Sequence, residues 1–81
     1  MNREEIKEKI TVIIRETAAD AADEFDEDAS IIEDIGLSSI EQLFVISGIE
    51  NEFSVKVTEK EIREVFILGD LINLTEALLK K

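Results

Sequence analysis

Ile6, Ile10, Ile13 and Ile14 recur at steps of three and four, and Thr17 and Ala21 continue the same side of the repeat. That spacing predicts an amphipathic helix from about Arg3 to Ala18, with an extension through the following alanines left open. Glu4 and Glu5 occupy its first turn, where the helix dipole favours anions, and Glu5–Lys9 is a supporting i,i+4 pair. The periodicity then fails. Asp20 to Ser38 is rich in Asp and Glu and reads as a long loop, with Phe25, Ile31, Ile32 and Ile35 available to pin it to a core. Nineteen residues is long for a connection without structure, which suggests function or a short helical turn inside it. Gly36 suits a turn or a left-handed position.

A second helix begins abruptly after this loop. Ser38-Ser39-Ile40-Glu41 has the S-x-x-E spacing of a capping box, in which the Ser38 hydroxyl takes the N3 amide and Glu41 reaches back. Ile40, Leu43, Phe44, Val45, Ile46, Ile49 and Phe53 cover more than one narrow stripe, so this helix is expected to be central and to touch several neighbours. Val55 to Thr58 is a short connection. Thr58-Glu59-Lys60-Glu61 repeats the capping-box spacing ahead of Ile62, Val65 and Phe66, giving a short third helix. Leu68-Gly69-Asp70-Leu71 opens the last helix, with Leu71, Ile72, Ala77, Leu78 and Leu79 apolar and Lys80-Lys81 complementing its C-terminal dipole. Gly48 interrupts the second helix at a cost of about 1 kcal/mol against alanine. Close helix packing is the default explanation, and room for a bound chain is the other. The expectation is an all-α fold, a small four-helix bundle with a short third helix and a long loop between helices 1 and 2. With no repeat, low-complexity tract or Gly/Pro-rich linker, residues 1–81 read as one domain.

Composition narrows the chemistry. The chain has 81 residues and neither cysteine nor histidine, so it cannot supply a Ser–His or Cys–His nucleophile pair, a thiol redox centre or a zinc cage of the usual ligands. An enzyme is therefore not expected. The net charge of −11 is unevenly placed, since twelve acidic residues and no basic one lie between Glu16 and Val55. A field of that sign repels nucleic acid and anionic membrane surfaces and attracts basic protein surfaces. No apolar run approaches the roughly 20 residues that span a bilayer. Met1-Asn2-Arg3-Glu4-Glu5 leads into no signal-like stretch, and a cytoplasmic monomer is the expectation.

Two features of the loop and its following helix invite a site. From Asp26, oxygen-bearing residues fall at calcium-loop positions 1, 3, 5 and 9, namely Asp26, Asp28, Ser30 and Asp34. Ile31 replaces the required glycine and Leu37 the bidentate glutamate, so a true EF-hand is not expected and no metal is assigned, although weak cation binding is. Ser39 is the second feature. It falls in the first turn of the second helix, where an attached anion would meet free amides and the positive end of the dipole. Serine is also common at helix starts merely to satisfy amides, and spacing alone leaves both readings open.

The stretch Glu33-Asp34-Ile35-Gly36-Leu37-Ser38-Ser39-Ile40 resembles the acyl carrier protein signature, usually Glu-Asp-Leu-Gly-x-Asp-Ser-Leu. Glu50-Asn51-Glu52-Phe53 falls, without a gap, where that family has an acidic run ending in phenylalanine, and Leu68-Gly69-Asp70-Leu71 resembles its Val-Gly-Asp-Leu. The resemblance covers nearly the whole chain. It implies a carrier rather than a catalyst, with 4′-phosphopantetheine joined to Ser39 by a separate phosphopantetheinyl transferase. The arm's thiol would hold acyl groups as thioesters for delivery to partner enzymes in fatty-acid, lipid or polyketide-type biosynthesis. In this family the bundle interior often shelters the acyl chain.

Two departures from the pattern stand beside the match. Ser38 replaces the usual aspartate, keeping the cap but losing a charge, and Phe44 replaces a glutamate common in bacterial fatty-acid carriers. Ile40 and Phe44 form an i,i+4 pair that either makes an apolar patch beside the attachment point or, for Phe44, turns into the core. Partner contacts are expected from Ser38, Ile40 and Phe44 and from the acidic Glu33, Asp34, Glu41, Glu50 and Glu52. Acyl-loading and acyl-transferring enzymes with basic surfaces are the expected partners. The departures suggest a carrier serving a particular pathway. An aminoacyl or peptidyl carrier, or an unmodified acidic helical module that binds a basic protein, are the alternatives.

Overall fold

A computed structural model describes residues 1–21 and 25–80. Helix α1 spans Arg3–Thr17 and buries Ile6, Ile10, Ile13 and Ile14, the stripe its spacing predicts. Asn2 starts it: the Asn2 side chain accepts from the Glu5 amide at 2.9 Å, and the Asn2 amide donates to the Glu5 carboxylate at 3.3 Å. The helix does not extend through the alanines. Ala18 is extended at the C-cap yet buried, and the Ala21 amide donates to the Ala18 carbonyl at 3.0 Å. These small side chains pack the turn that leaves the helix, which takes them out of the helix itself.

The long acidic connection contains a short helical element, one of the two readings its length suggested. Ile31–Ile35 forms a π-helical turn capped by Ser30, whose hydroxyl accepts from the Glu33 amide at 3.1 Å. Gly36 ends it at φ +89, a left-handed conformation that favours glycine. Ile31, Ile35 and Leu37 are buried, and Phe25 is half-buried against the core. Ile32 is a correction to the sequence reading. It is 50% exposed, because within one helical turn it points away from the side shared by Ile31 and Ile35.

Three backbone bonds tie this connection to the start of the last helix. Ile31 donates to Phe66 at 3.0 Å, Leu68 to Ala29 at 3.0 Å, and Gly69 to Glu27 at 2.8 Å. A Cβ on Gly69 would stand 3.1 Å from the Glu27 carbonyl oxygen, so the approach suits glycine. Arg3 adds a second tie: its guanidinium pairs with Glu27 of the connection and Glu76 of the last helix and donates to Asn73 at 2.8 Å.

Helix α2, Ser39–Phe53, buries Val45, Ile46, Ile49 and Phe53. Gly48 sits where α2 crosses α1, and a Cβ there would lie 2.7 Å from Ile13 Cγ2. Close packing therefore accounts for this glycine. Lys9 reaches Glu52 at 3.5 Å, so the two helices run antiparallel. After Ser54, left-handed at φ 54, the chain forms α3, Glu59–Arg63, with the Thr58–Glu61 capping box intact. Phe66 falls beyond α3, in the link to α4, Leu68–Leu79. Asp70 caps α4 by accepting from the Phe66 and Ile67 amides at 2.9 and 3.1 Å. Leu68, Leu71, Ile72 and Thr75 form its inner face, whereas Ala77 and Leu79 are exposed. The Thr75 hydroxyl, though buried, donates to the Leu71 carbonyl at 2.8 Å. The all-α four-helix bundle expected from the sequence is the fold that forms.

Candidate functional site

The beginning of α2 is fixed from both sides. Leu37 is buried, Gly36 turns the chain, and the capping box closes with Glu41 N to Ser38 Oγ at 3.1 Å and Ser38 N to Glu41 Oε1 at 2.9 Å. The neighbouring serines consequently differ. The Ser38 hydroxyl is committed to the helix, whereas Ser39 is exposed and its hydroxyl has no hydrogen-bond partner among the described residues. The amides of Ser39 and Ile40, in the open first turn, likewise find no acceptor there.

Ser39 opens onto a groove of about 410 Å³. Ile32 and Glu33 of the π turn, Gln42 of α2, and Ile62, Arg63 and Phe66 of α3 and the link after it line the groove. This groove was not legible in the sequence, since its lining joins the π turn and the start of α2 to a third segment, at α3, about twenty residues further along the chain. Its one signal was Phe66, an apolar residue just past a short helix, now 70% exposed.

Ile40, Leu43 and Phe44 lie together on the solvent side of α2, at 66%, 53% and 61% exposure. Of the seven apolar residues expected to make this helix central, Val45, Ile46, Ile49 and Phe53 are the ones that reach the core. Residues 40, 43 and 44 share one face by their i,i+3,i+4 spacing, and the other face, with Val45, Ile46, Ile49 and Phe53, packs against α1 and α4. Phe44 thus resolves as exposed rather than turned inward.

The five acidic candidates separate into two places. Glu33, Asp34 and Glu41 surround the start of α2, while Glu50 and Glu52 lie near its far end, Glu50 some 16 Å along the axis from Ser39. Their carboxylates also differ in freedom. Asp34 accepts from the Ser30 amide at 2.8 Å, Glu41 is engaged in the cap, Glu50 accepts from the Val57 amide at 2.8 Å, and Glu52 faces Lys9. The Glu33 carboxylate alone of the five has no partner among the described residues. Asp26, the first residue of the calcium-loop register, accepts from the Asp28 amide at 3.0 Å. Among the described residues no group of three or more Asp and Glu could hold a metal ion.

In the connection, the Glu27 carboxyl is held below its ordinary value chiefly by its hydrogen bond from Arg3, with partial burial opposing and the charge of Arg3 adding to the effect. The same bond raises the Arg3 guanidinium above its ordinary value.

No protein-family model matches the chain. Curated acyl carrier proteins do. That of Thermotoga maritima is 31% identical over 75 residues, covering 93% of each chain. The protein from Petrotoga mobilis is 30% identical over 74 residues, covering 91% of this chain and 87% of the relative. That of Saccharopolyspora erythraea is 28% identical over 75 residues, covering 93% and 79%. The crystal structure of the Thermotoga maritima acyl carrier protein superimposes with a TM-score of 0.88 at 25% identity, over 99% of this chain and 93% of that one. Agreement in both sequence and backbone along nearly the full length shows that this chain belongs to the acyl carrier protein family.

Proposed function

We propose that Ser39 carries a 4′-phosphopantetheine arm and that the protein delivers acyl groups to partner enzymes of fatty-acid, lipid or polyketide-type biosynthesis. The carrying observation is the Ser39 hydroxyl: exposed, uncommitted, and seated in the first turn of a fifteen-residue helix beside a groove. The residues present fit the group. A phosphodiester at Ser39 Oγ would stand beside the free first-turn amides and the positive end of the α2 dipole. When bound, the arm supplies a terminal thiol that holds the acyl group as a thioester. The chain's own residues hold the attachment point rigid through the Ser38–Glu41 box and the buried Leu37, and they leave acyl chemistry to other proteins.

Partner recognition follows from what surrounds Ser39. Ile40, Leu43 and Phe44 offer an apolar strip, and Ser38 stands at its edge. Glu33, free of internal partners, is the acid best placed to meet a basic surface, with Asp34 and Glu41 adding their field. Glu50 and Glu52 form a separate acidic contact farther along α2. A phosphopantetheinyl transferase and acyl-handling enzymes with basic rims fit this pattern. Residues 1–81 act as one carrier unit, a cytoplasmic monomer whose net charge of −11 opposes pairing of copies. No helix among the described residues is long and apolar enough to cross a membrane.

Intact mass after incubation with a phosphopantetheinyl transferase and coenzyme A tests the reading. One phosphopantetheinyl increment is expected, and it is absent in Ser39→Ala. No increment with several transferases would instead make the chain an acidic protein-binding module.

A further inference from the structure

Arg63 stands out among the groove's walls. It is the single basic side chain among the described residues that line the groove beside Ser39, and the whole segment from Glu16 to Val55 contributes none. Its guanidinium is only loosely engaged, 3.1 Å from Glu59 in an i,i+4 pair whose side chains are 75% and 86% exposed. A pair that open to water contributes little, so Arg63 can change partner at small cost. Glu33 lines the same groove with an unpaired carboxylate, which disfavours an anion beside itself and leaves Arg63 as the side chain that attracts one. Ile62 and Phe66 add apolar surface to the lining, and Gln42 adds amide donors and an acceptor. The volume of about 410 Å³ falls within the roughly 300–1,000 Å³ usual for small-molecule sites.

Resting on the assignment of Ser39, we infer that Arg63 is a positioning residue for the arm. Its guanidinium exchanges Glu59 for the phosphodiester on Ser39 and lays the pantetheine chain along the Ile62–Phe66 wall. The polarity of the groove matches such an occupant: one anionic end beside the single cation, then a chain of alternating amide and apolar parts against mixed walls. The tether starts on a residue that lines the groove, so the occupant has no entropy of encounter to overcome. The resting carrier therefore keeps its thiol near α3, and Arg63 biases how often it swings free.

The test uses the isolated loaded protein, with no partner enzyme. Wild type, Arg63→Gln, Arg63→Lys and Glu59→Gln are each brought to full loading, verified by intact mass. Thiol alkylation by neutral iodoacetamide is then followed at a pH where the thiolate fraction is saturated. Arg63→Gln is expected to react about two- to fivefold faster than wild type, the range for releasing an exposed charge contact. Arg63→Lys should fall between the two, and Glu59→Gln, which frees the guanidinium, should react more slowly than wild type. Added salt should speed wild type toward the Arg63→Gln rate and leave that variant unchanged. Equal rates and equal salt responses in all fully loaded variants overturn the inference while leaving Ser39 as the attachment point. Failure of Ser39 to load in wild type overturns both.

Discussion

Adjacent serines at the start of α2 carry different physical burdens. Ser38 supplies the hydroxyl that satisfies the Glu41 amide, so Ser38→Ala is expected to destabilise the fold by about 1 kcal/mol, the usual worth of a cap. Ser39 supplies nothing to the fold, and Ser39→Ala should stay within about 0.5 kcal/mol of wild type while losing all loading. Urea denaturation of both variants beside the loading assay separates a structural serine from a functional one. A stability loss at Ser39 equal to that at Ser38 would place both in the cap. Gly48 is the other residue whose identity is set by a contact. Alanine gains about 1 kcal/mol of helix propensity, but its Cβ would drive into Ile13 Cγ2 at 2.7 Å, and overpacking costs about 1–3 kcal/mol. Gly48→Ala is therefore expected to lower stability by up to about 2 kcal/mol. In the Ile13→Ala background the same change should be neutral or stabilising, a coupling that a double-mutant cycle reads directly.

At the level of elements, the helices were legible where a cap and a period agree. The Ser38–Glu41 and Thr58–Glu61 boxes and the Ile6–Ile14 stripe are local patterns, and each forms as spaced. What was not legible depends on contacts distant in sequence. Nothing near Ile40 or Phe44 indicates that α1 and α4 cover the other face of α2, and nothing near Glu50 indicates that the Val57 amide will take its carboxylate. The candidate site was legible as a residue, Ser39, but not as a groove, whose walls meet only after folding. The acidic connection itself is held by partners 24 to 73 residues apart, through Arg3. This tie gives a pH signature. The folded Glu27 carboxyl lies below its unfolded value, so its contribution is present above the ordinary carboxylate range and is lost as pH falls through the lowered one. Arg3 stays charged throughout and adds no pH dependence of its own in that range. Thermal midpoints followed from neutral pH downward should show Glu27→Gln least stable relative to wild type near neutrality, with the gap closing in acid. A gap constant with pH would mean that Glu27 acts by packing alone.

Over the whole molecule, folding and function place opposite demands on the same charge. Twelve acidic residues between Glu16 and Val55 repel one another in the compact state, yet in the proposed carrier role the same field, with the unpaired Glu33 carboxylate in the groove that Ser39 lines, is what would draw in basic surfaces. Internal cations answer only part of the repulsion: Arg3 binds Glu27 and Glu76, and Lys9 faces Glu52. Screening should then act with opposite sign on the two properties. Raising sodium chloride from about 10 mM to 150 mM shortens the Debye length from about 30 to 8 Å, so distant acids cease to repel while contacts at bonding distance persist. The thermal midpoint is expected to rise over that range. The association rate with a phosphopantetheinyl transferase is expected to fall, by roughly tenfold if steering operates at the low end of its usual range. Glu33→Gln should reduce that rate and its salt slope without lowering the midpoint, because its carboxylate supports nothing inside the fold. A midpoint that falls with salt would mean that attractive pairs outweigh the repulsion of the acidic segment. An association rate indifferent to salt would leave the apolar strip of Ile40, Leu43 and Phe44 as the sole guide to docking.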